Sequence, residues 1–398
     1  MIKGFVMSVL LGAAMAVSFG GRAWAAGTEG LAGQGTLTAA EAGQETGDTS
    51  GGDAVGTGIG DTSGEEAVEA RTRGASGEDA VGAGTGDTTG EDAVEAWTGD
   101  RSRQDAAETG IGQSSHENRS EGEEDPEPTG PLLVMLKNSG RAQMLSVLIR
   151  SRNGRLMVID GGWEEDGDYL LENIKKYGGH VDAWFITHPH PDHGGALCYI
   201  LRNKSSEITI DRIYGSFAAP EWYQKASPEE APFVETFLRE LSMLPVGTVW
   251  GSVGKGFETD MDGLRITALN NRYELKTDPV NNSSIVYLLE TGEQKVLFLG
   301  DMGYEGGQRL LKESERMLAA DMVQMAHHGQ NGVGKEVYKA IAPRICLWPT
   351  PQWLWDNDRG EGEGTGPWKT LETRKWIEEL GVEENYCIKD GDIILELK

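Results

Sequence analysis

Asp182-Ala183-Trp184-Phe185-Ile186-Thr187-His188-Pro189-His190-Pro191-Asp192-His193-Gly194-Gly195 is the stretch on which the reading of the fold turns. Residues 181–186 form an apolar run that reads as a buried strand. The string behind it sets three histidines and an aspartate between 188 and 193. Five of the chain's seven histidines fall here and at His327-His328. Imidazoles joined by a carboxylate suit Zn, Fe or Mn, whereas Ca and Mg prefer oxygen ligands. A strand ending at Ile186 delivers the string into a loop at a sheet edge. Gly194 and Gly195 would then let the backbone and a following helix N-terminus come close to an ion.

Working outward, three more apolar runs end in residues of ligand type. Residues 295–299 lead into Gly300-Asp301, residues 322–325 into Ala326-His327-His328-Gly329, and residues 156–159 into Asp160-Gly161-Gly162. Each is weak alone, and Asp160 reads equally well as a turn residue. Together they are hard to assign to packing. From 131 to 398 the chain alternates short apolar runs with helical periodicity, the pattern of one mixed domain. Strands are expected at 132–137, 144–150, 156–159, 181–186, 208–214, 264–269, 284–289, 295–299, 322–325, 344–347 and 393–397. Helices are expected at 168–177, 194–203, 228–243, 306–319, 335–340 and 368–380, the acidic 228–243 as a plain amphipathic surface helix. Adjacent strand pairs with helices elsewhere suggest two packed sheets with helices outside.

The string His188-x-His190-x-Asp192-His193 with later Asp301 and His328 resembles the metallo-β-lactamase superfamily over about residues 131–398. Within it, residues 281–286, Leu299-Gly300-Asp301 and His327-His328-Gly329 look like the extracellular metallo-hydrolase domain of competence DNA-uptake proteins and like secreted phosphorylcholine esterases. The resemblance implies an α+β fold, a four-layer αββα sandwich, holding two divalent ions, Zn first and Mn or Fe otherwise. By position it implies that His188 and His190 hold one ion, Asp192, His193 and His328 the other, and Asp301 bridges both. Asp160 would fix a ligand loop through hydrogen bonds. Many members carry a further histidine between the first motif and the bridging Asp, yet none occurs here from 194 to 326. Water would complete the first site, or Asn281 would lie nearby, and Asn281 is also a candidate substrate contact. Competence-type domains also carry a histidine where this chain runs Trp348-Pro349-Thr350-Pro351-Gln352-Trp353-Leu354-Trp355.

The chemistry so implied is hydrolysis by a metal-bridging hydroxide, positioned by Asp192 and Asp301, with His327 donating to a phosphate oxygen or the leaving group. A small anionic phosphodiester is the expected substrate. A lactone, a β-lactam or a thioester is the alternative, and a metal-stabilised binding module without activity is a third reading. Trp348, Trp353, Trp355 and Trp368 crowd one region; Trp353 and Trp355 are candidates for a substrate wall by cation–π contact or stacking, with packing of the last helix as the plainer account.

The N-terminus, with Lys3, an apolar stretch and Ala23-Trp24-Ala25, reads as a signal peptide over 1–25. No later stretch approaches the length needed to span a bilayer. Residues 26–130 are rich in Gly, Thr, Ala and acids, and Gly60-Asp61-Thr62-Ser63-Gly64-Glu65 returns as Gly86-Asp87-Thr88-Thr89-Gly90-Glu91. That composition predicts a disordered acidic linker, with a coil reach of roughly 50–60 Å for about 100 residues. A secreted or surface-associated head on a stalk follows. Of the formal charge of −28, from 64 acids and 36 bases, most sits in this linker. No basic run occurs, which argues against tight nucleic-acid binding. Three cysteines, Cys198, Cys346 and Cys387, supply no disulfide framework and no CxxC site.

Overall fold

The computed structural model describes residues 130–398. The expected signal segment, and the linker up to residue 129, lie outside the described residues. In chain order the strands are β1 Leu132–Met135, β2 Ser146–Arg150, β3 Leu156–Asp160, β4 His180–Val181, β5 Ala183–Phe185, β6 Thr209–Ile210, β7 Ile213–Tyr214 and β8 Val249–Trp250. They continue as β9 Glu258–Met261, β10 Leu264–Ala268, β11 Tyr287–Glu290, β12 Lys295–Phe298, β13 Met322–Gln324, β14 Ile345–Trp348, β15 Glu384–Cys387 and β16 Ile393–Glu396. The helices are α1 Gly167–Lys176, α2 Pro191–Asn203, α3 Pro220–Ala226, α4 Ala231–Ser242, α5 Tyr304–Ser314, α6 Lys335–Ile341, α7 Gln352–Trp355 and α8 Thr370–Glu379.

Two seven-stranded sheets result, in the orders β16-β1-β2-β3-β5-β7-β8 and β15-β14-β13-β12-β11-β10-β9. Strand periodicity sorts the side chains into layers. Val147 and Ile149 of β2 meet Val296 and Phe298 of β12 in the core between the sheets. Leu148 faces the other way, with Leu170, Leu197 and Phe237 from α1, α2 and α4. Leu297 likewise faces Leu310, Val337 and Ile377 from α5, α6 and α8. Each inner strand is thus apolar on both faces, which explains why these runs read as continuous rather than alternating. The architecture is the four-layer αββα sandwich expected from the resemblance.

Parallel pairing places the ligand-type residues. β3, β5 and β7 run parallel in the first sheet, and β12, β13 and β14 in the second. Asp160 ends β3, the histidine string follows β5, Asp301 follows β12 and the His327-His328 pair follows β13. Carboxyl ends of parallel strands are where such folds build sites.

Several local expectations need correcting. The helix expected from Gly194 begins three residues earlier, at Pro191, because proline suits the first helical turn. Asp192 and His193 therefore sit in the first turn of α2 rather than in a loop. The glycines serve packing, not an ion: a Cβ on Gly194 would lie 2.8 Å from the Phe237 ring, and one on Gly195 2.7 Å from the backbone of Glu164. The strand expected over 181–186 is split at Asp182, whose carboxylate accepts from Leu156 N at 2.9 Å and Arg155 Nε at 2.7 Å. The helix expected over 228–243 starts at Ala231 and is preceded by α3, which no periodicity marked. The edge strand β15, Glu384-Asn385-Tyr386-Cys387, was also unpredicted; three of its four residues are not buried, so it lacks an apolar run.

Candidate metal centre

Asp192, His193, Asp301 and His328 converge where the two sheets meet. One ligand-type atom from each lies within 4.8 Å of the others, and all four residues are buried. His193 Nε2 stands 3.2 Å from Asp301 Oδ1. His328 Nε2 stands 3.1 Å from Asp192 Oδ2 and 3.2 Å from Asp301 Oδ2. His193 Nε2 and Asp301 Oδ1 are buried without a hydrogen-bond partner, a costly state unless a cation takes both. The donor set, two imidazoles and two carboxylates, is one that Zn, Mn or Fe accepts.

The cluster is held from behind. Asp160, in a left-handed backbone at φ 55°, accepts from Thr187 N at 2.8 Å, Thr187 Oγ1 at 2.7 Å and His193 Nδ1 at 2.7 Å. That leaves His193 Nε2 to face the cage. His328 Nδ1 lies 3.0 Å from the Pro349 carbonyl, and the Thr350 hydroxyl donates to the His328 carbonyl at 2.7 Å. Gln324 grips the loop bearing Asp301: its Oε1 accepts from Leu299 N and Gly300 N at 2.9 Å each, and its Nε2 donates to Met325 O at 2.7 Å. Gly300 is at φ 56° with a would-be Cβ 2.8 Å from Thr187, so only glycine fits there. Partners behind a ligand are worth about 10–100-fold in metal affinity. Asp160→Ala should therefore weaken metal binding by about that factor, read by competition with a chromophoric chelator.

Electrostatics point the same way. Burial raises the Asp301 carboxyl, but His193 and His328 outweigh it and hold the group well below the usual carboxylate range. Burial lowers His193, yet Asp301, Asp160 and Asp192 hold it well above the ordinary imidazole value. Burial also lowers His328, and Asp301 with Asp192 lifts it to about 9. A buried cluster that favours cationic imidazole and ionised carboxylate together is one that favours positive charge, as a divalent ion supplies.

His188 and His190 lie beside this cage as a pair. His188 Nε2 is 3.1 Å from His190 Nδ1, and the rings are 4.7 Å apart. His188 Nδ1 meets Thr187 Oγ1 at 3.1 Å. His190 Nε2 lies 2.8 Å from Glu230 Oε1, a residue that no motif singled out. Glu230 immediately precedes α4, so the supposed plain surface helix brings a carboxylate into the site. Burial pushes His190 down, but Glu230 more than offsets it and holds the imidazole at about 9. Burial, with His193 and His190 nearby, drives His188 well below its ordinary value.

A cavity of about 500 Å³ opens onto the cluster, and His190, Asp192, Asp301, Asn281 and His327 line it. Asn281 Nδ2 donates to Asp278 Oδ1 at 2.9 Å and lies 3.5 Å from His327 Nε2. His327 Nε2 is 3.9 Å from Asp301 Oδ2. His327 and His328, adjacent in sequence, both adopt left-handed backbone at φ 50° and 53°, which sends one ring to the cavity and the other into the cage. Trp353 and Trp355 do not line this cavity, which corrects their assignment to a substrate wall. Trp353 donates from Nε1 to Arg141 O at 2.7 Å and meets Trp368 edge-on at 4.8 Å; Trp355 meets Trp348 at 5.2 Å under the Arg374 guanidinium. The tryptophan at the cavity is Trp163. Trp353→Ala should accordingly change kcat/KM on a hydrolysed substrate by less than about twofold, since it removes packing and no cavity contact.

The profile of the metallo-beta-lactamase superfamily matches residues 140–343, just over half of the chain, and those residues carry the whole cluster. This chain belongs to the metallo-beta-lactamase superfamily. A curated relative, ComE operon protein 3 of Bacillus subtilis (strain 168), is 26% identical over 232 residues, covering 52% of this chain. The match spans only 27% of that relative. Among solved structures, the metallo-beta-lactamase fold protein YhfI of Bacillus subtilis is 14% identical, covering 67% of this chain and 100% of its own, with a TM-score of 0.43. CmlA, a diiron beta-hydroxylase from Streptomyces venezuelae, is 14% identical over 69% of this chain and 55% of its own, with a TM-score of 0.43. As a member of the superfamily, the chain has a metal-dependent hydrolase fold with a His/Asp cluster able to bind metal. Among the described residues, no helix is long and apolar enough to cross a membrane.

Proposed function

We propose that the chain is a secreted, dinuclear metal-dependent phosphodiesterase acting on small diesters. The observation that carries this reading is the buried four-donor cage opening directly onto a cavity of about 500 Å³. Asp192, His193, Asp301 and His328 would hold one divalent ion, and His188 and His190 would hold a second with Asp301 shared. When bound, two such ions lower the pKa of water towards neutrality and neutralise charge on a phosphoryl group.

The chain's own residues do the rest. Asp192, in the first turn of α2, and Asp301, in the loop after β12, fix the geometry of the centre from the two sides of the sandwich. His327 and the Asn281 amide, both at the cavity wall, are placed to donate to phosphate oxygens, and His327 can pass a proton to the leaving alkoxide. Glu229, Glu230 and Asp278 also line the cavity. Such a carboxylate-rich mouth repels a long polyanion while leaving a single diester room to reach the cations, which supports a small substrate over duplex nucleic acid. The signal-like sequence at 1–25 supports secretion, with the acidic linker as a spacer to a surface.

Hydrolysis of bis(p-nitrophenyl) phosphate by the Zn- or Mn-loaded chain tests this reading, with a chromogenic cephalosporin and a lactone as comparators. Metal-dependent nitrophenol release, faster than either comparator, supports the phosphodiesterase. Turnover of a comparator alone transfers the activity to carbonyl substrates, and a loaded chain that turns over none is a binding module.

A further inference from the structure

Away from the metal cage, the cavity wall carries acceptors that the chain itself leaves open. The carboxylates of Glu229, Glu230 and Asp278 line it. Glu230 is matched by His190 at 2.8 Å, whereas Glu229 and Asp278 stand in no ion pair among the described residues. The Ser227 hydroxyl donates to Glu229 at 3.0 Å, and the Asn281 amide donates to Asp278 at 2.9 Å. Burial pushes the Asp278 carboxyl up, and Glu230 adds to this by more than His327 and His190 offset, so the group is short of positive charge. Lys276, exposed, is the one lysine or arginine on the wall.

Asn281 gives a second and independent sign. It is 6% exposed, commits Nδ2 to Asp278, and leaves Oδ1 buried with no partner. An acceptor in that state is costly until a donor reaches it. The amide also links the cage to Asp278. Asp301 Oδ2 lies 3.9 Å from His327 Nε2, that nitrogen 3.5 Å from Asn281 Nδ2, and Nδ2 2.9 Å from Asp278 Oδ1. A ligand whose phosphate faces the cage therefore needs only a short alkyl arm to bring a donor to Asn281 and Asp278.

The aromatic content of the wall decides what that donor is. Trp163 is the one tryptophan, tyrosine or phenylalanine lining the cavity, and its Nε1 is committed to the Gln143 carbonyl at 2.7 Å. A quaternary ammonium is held by a cage of aromatic faces, and it has no N–H to satisfy an amide oxygen. A protonated primary amine carries three donors and a full charge, which suits two carboxylates and one amide oxygen.

Resting on the phosphodiesterase reading, we propose that the substrate is a phosphate ester whose short arm ends in a protonated primary amine, held by Asp278, Glu229 and Asn281 Oδ1 while the phosphate faces the cage. Glu229 and Asp278 then set specificity, since they favour the amine and disfavour a neutral or anionic arm.

Calorimetric titration of the Zn-loaded chain with 2-aminoethyl phosphate, propyl phosphate and 2-(trimethylammonio)ethyl phosphate tests this. The aminoethyl ester should bind at least about tenfold more tightly than the propyl ester, the scale of a hydrogen bond to a charged group. It should also exceed the trimethylammonio ester by at least about fivefold, which separates N–H donation from charge alone. Asp278→Asn and Glu229→Gln should each cut the aminoethyl-to-propyl ratio by at least about fivefold; the ratio is internal to each variant, so a general loss of binding does not imitate the effect. An aminoethyl ester that binds no better than either comparator, a ratio that survives both substitutions, or a loaded chain that binds none of the three would overturn the proposal. Binding is read here without turnover. Preferential binding by a chain that hydrolyses no diester would sink the phosphodiesterase reading alone, and a diesterase indifferent to the amine would sink this inference alone.

Discussion

Asp301→Asn is expected to abolish diester hydrolysis, with kcat falling by at least about a thousandfold, the upper end of what one electrostatic contact supplies to a transition state. Asp301 is the carboxylate that faces both imidazoles of the cage. Its Oδ1 lies 3.2 Å from His193 Nε2 and its Oδ2 3.2 Å from His328 Nε2. The amide keeps the shape of the carboxylate, so the Gln324 and Ser284 contacts that hold its loop should survive. What is lost is a buried negative charge that His193 and His328 require. The metal held by the cage should therefore leave as well, and metal content by mass spectrometry should fall towards zero. A variant that keeps both its metal and its turnover would show that Asp301 is a packing residue and that the centre lies elsewhere.

Stripping the metal should lower the thermal midpoint by about 8–16 °C. A ligand present at a thousand times its dissociation constant stabilises the folded state by about 4 kcal/mol. For a domain of this size each kcal/mol moves the midpoint by about 2–4 °C. The structural reason is the state of the cage without a cation: His193 Nε2 and Asp301 Oδ1 are buried and unsatisfied, with Asp192 close by. Scanning calorimetry with chelator, then with Zn restored, checks the shift and its reversal. A midpoint that moves by less than about 2 °C would mean that the cluster is not a site of tight binding.

The ligand set was legible because its chemistry is concentrated in sequence. Three histidines and an aspartate within 188–193 stand out against seven histidines in the whole chain, and each later candidate follows an apolar run that became a strand. The sandwich was legible for the same reason, since doubly buried strands such as β3 and β12 announce themselves as unbroken apolar runs. Glu230 was not legible: one acidic residue among several before a helix has no local signature, and its approach to His190 depends on how the α3–α4 excursion folds back. The glycines of α2 were read through the ion rather than through Phe237 and Glu164, which are distant in sequence or on another turn. The tryptophan cluster misled because aromatic density looks alike whether it lines a cavity or packs a last helix. Trp353 and Trp355 do the latter, and Trp163, isolated in sequence, does the former.

An anomalous-difference map at the zinc edge, from crystals of the Zn-loaded chain, tests the central claim most directly. The account predicts its strongest peak bonded to Asp192, His193, Asp301 and His328 at about 2.0–2.2 Å. A strongest peak at another group, such as His180, Asp182 and Asp211, with none among those four residues, would contradict it.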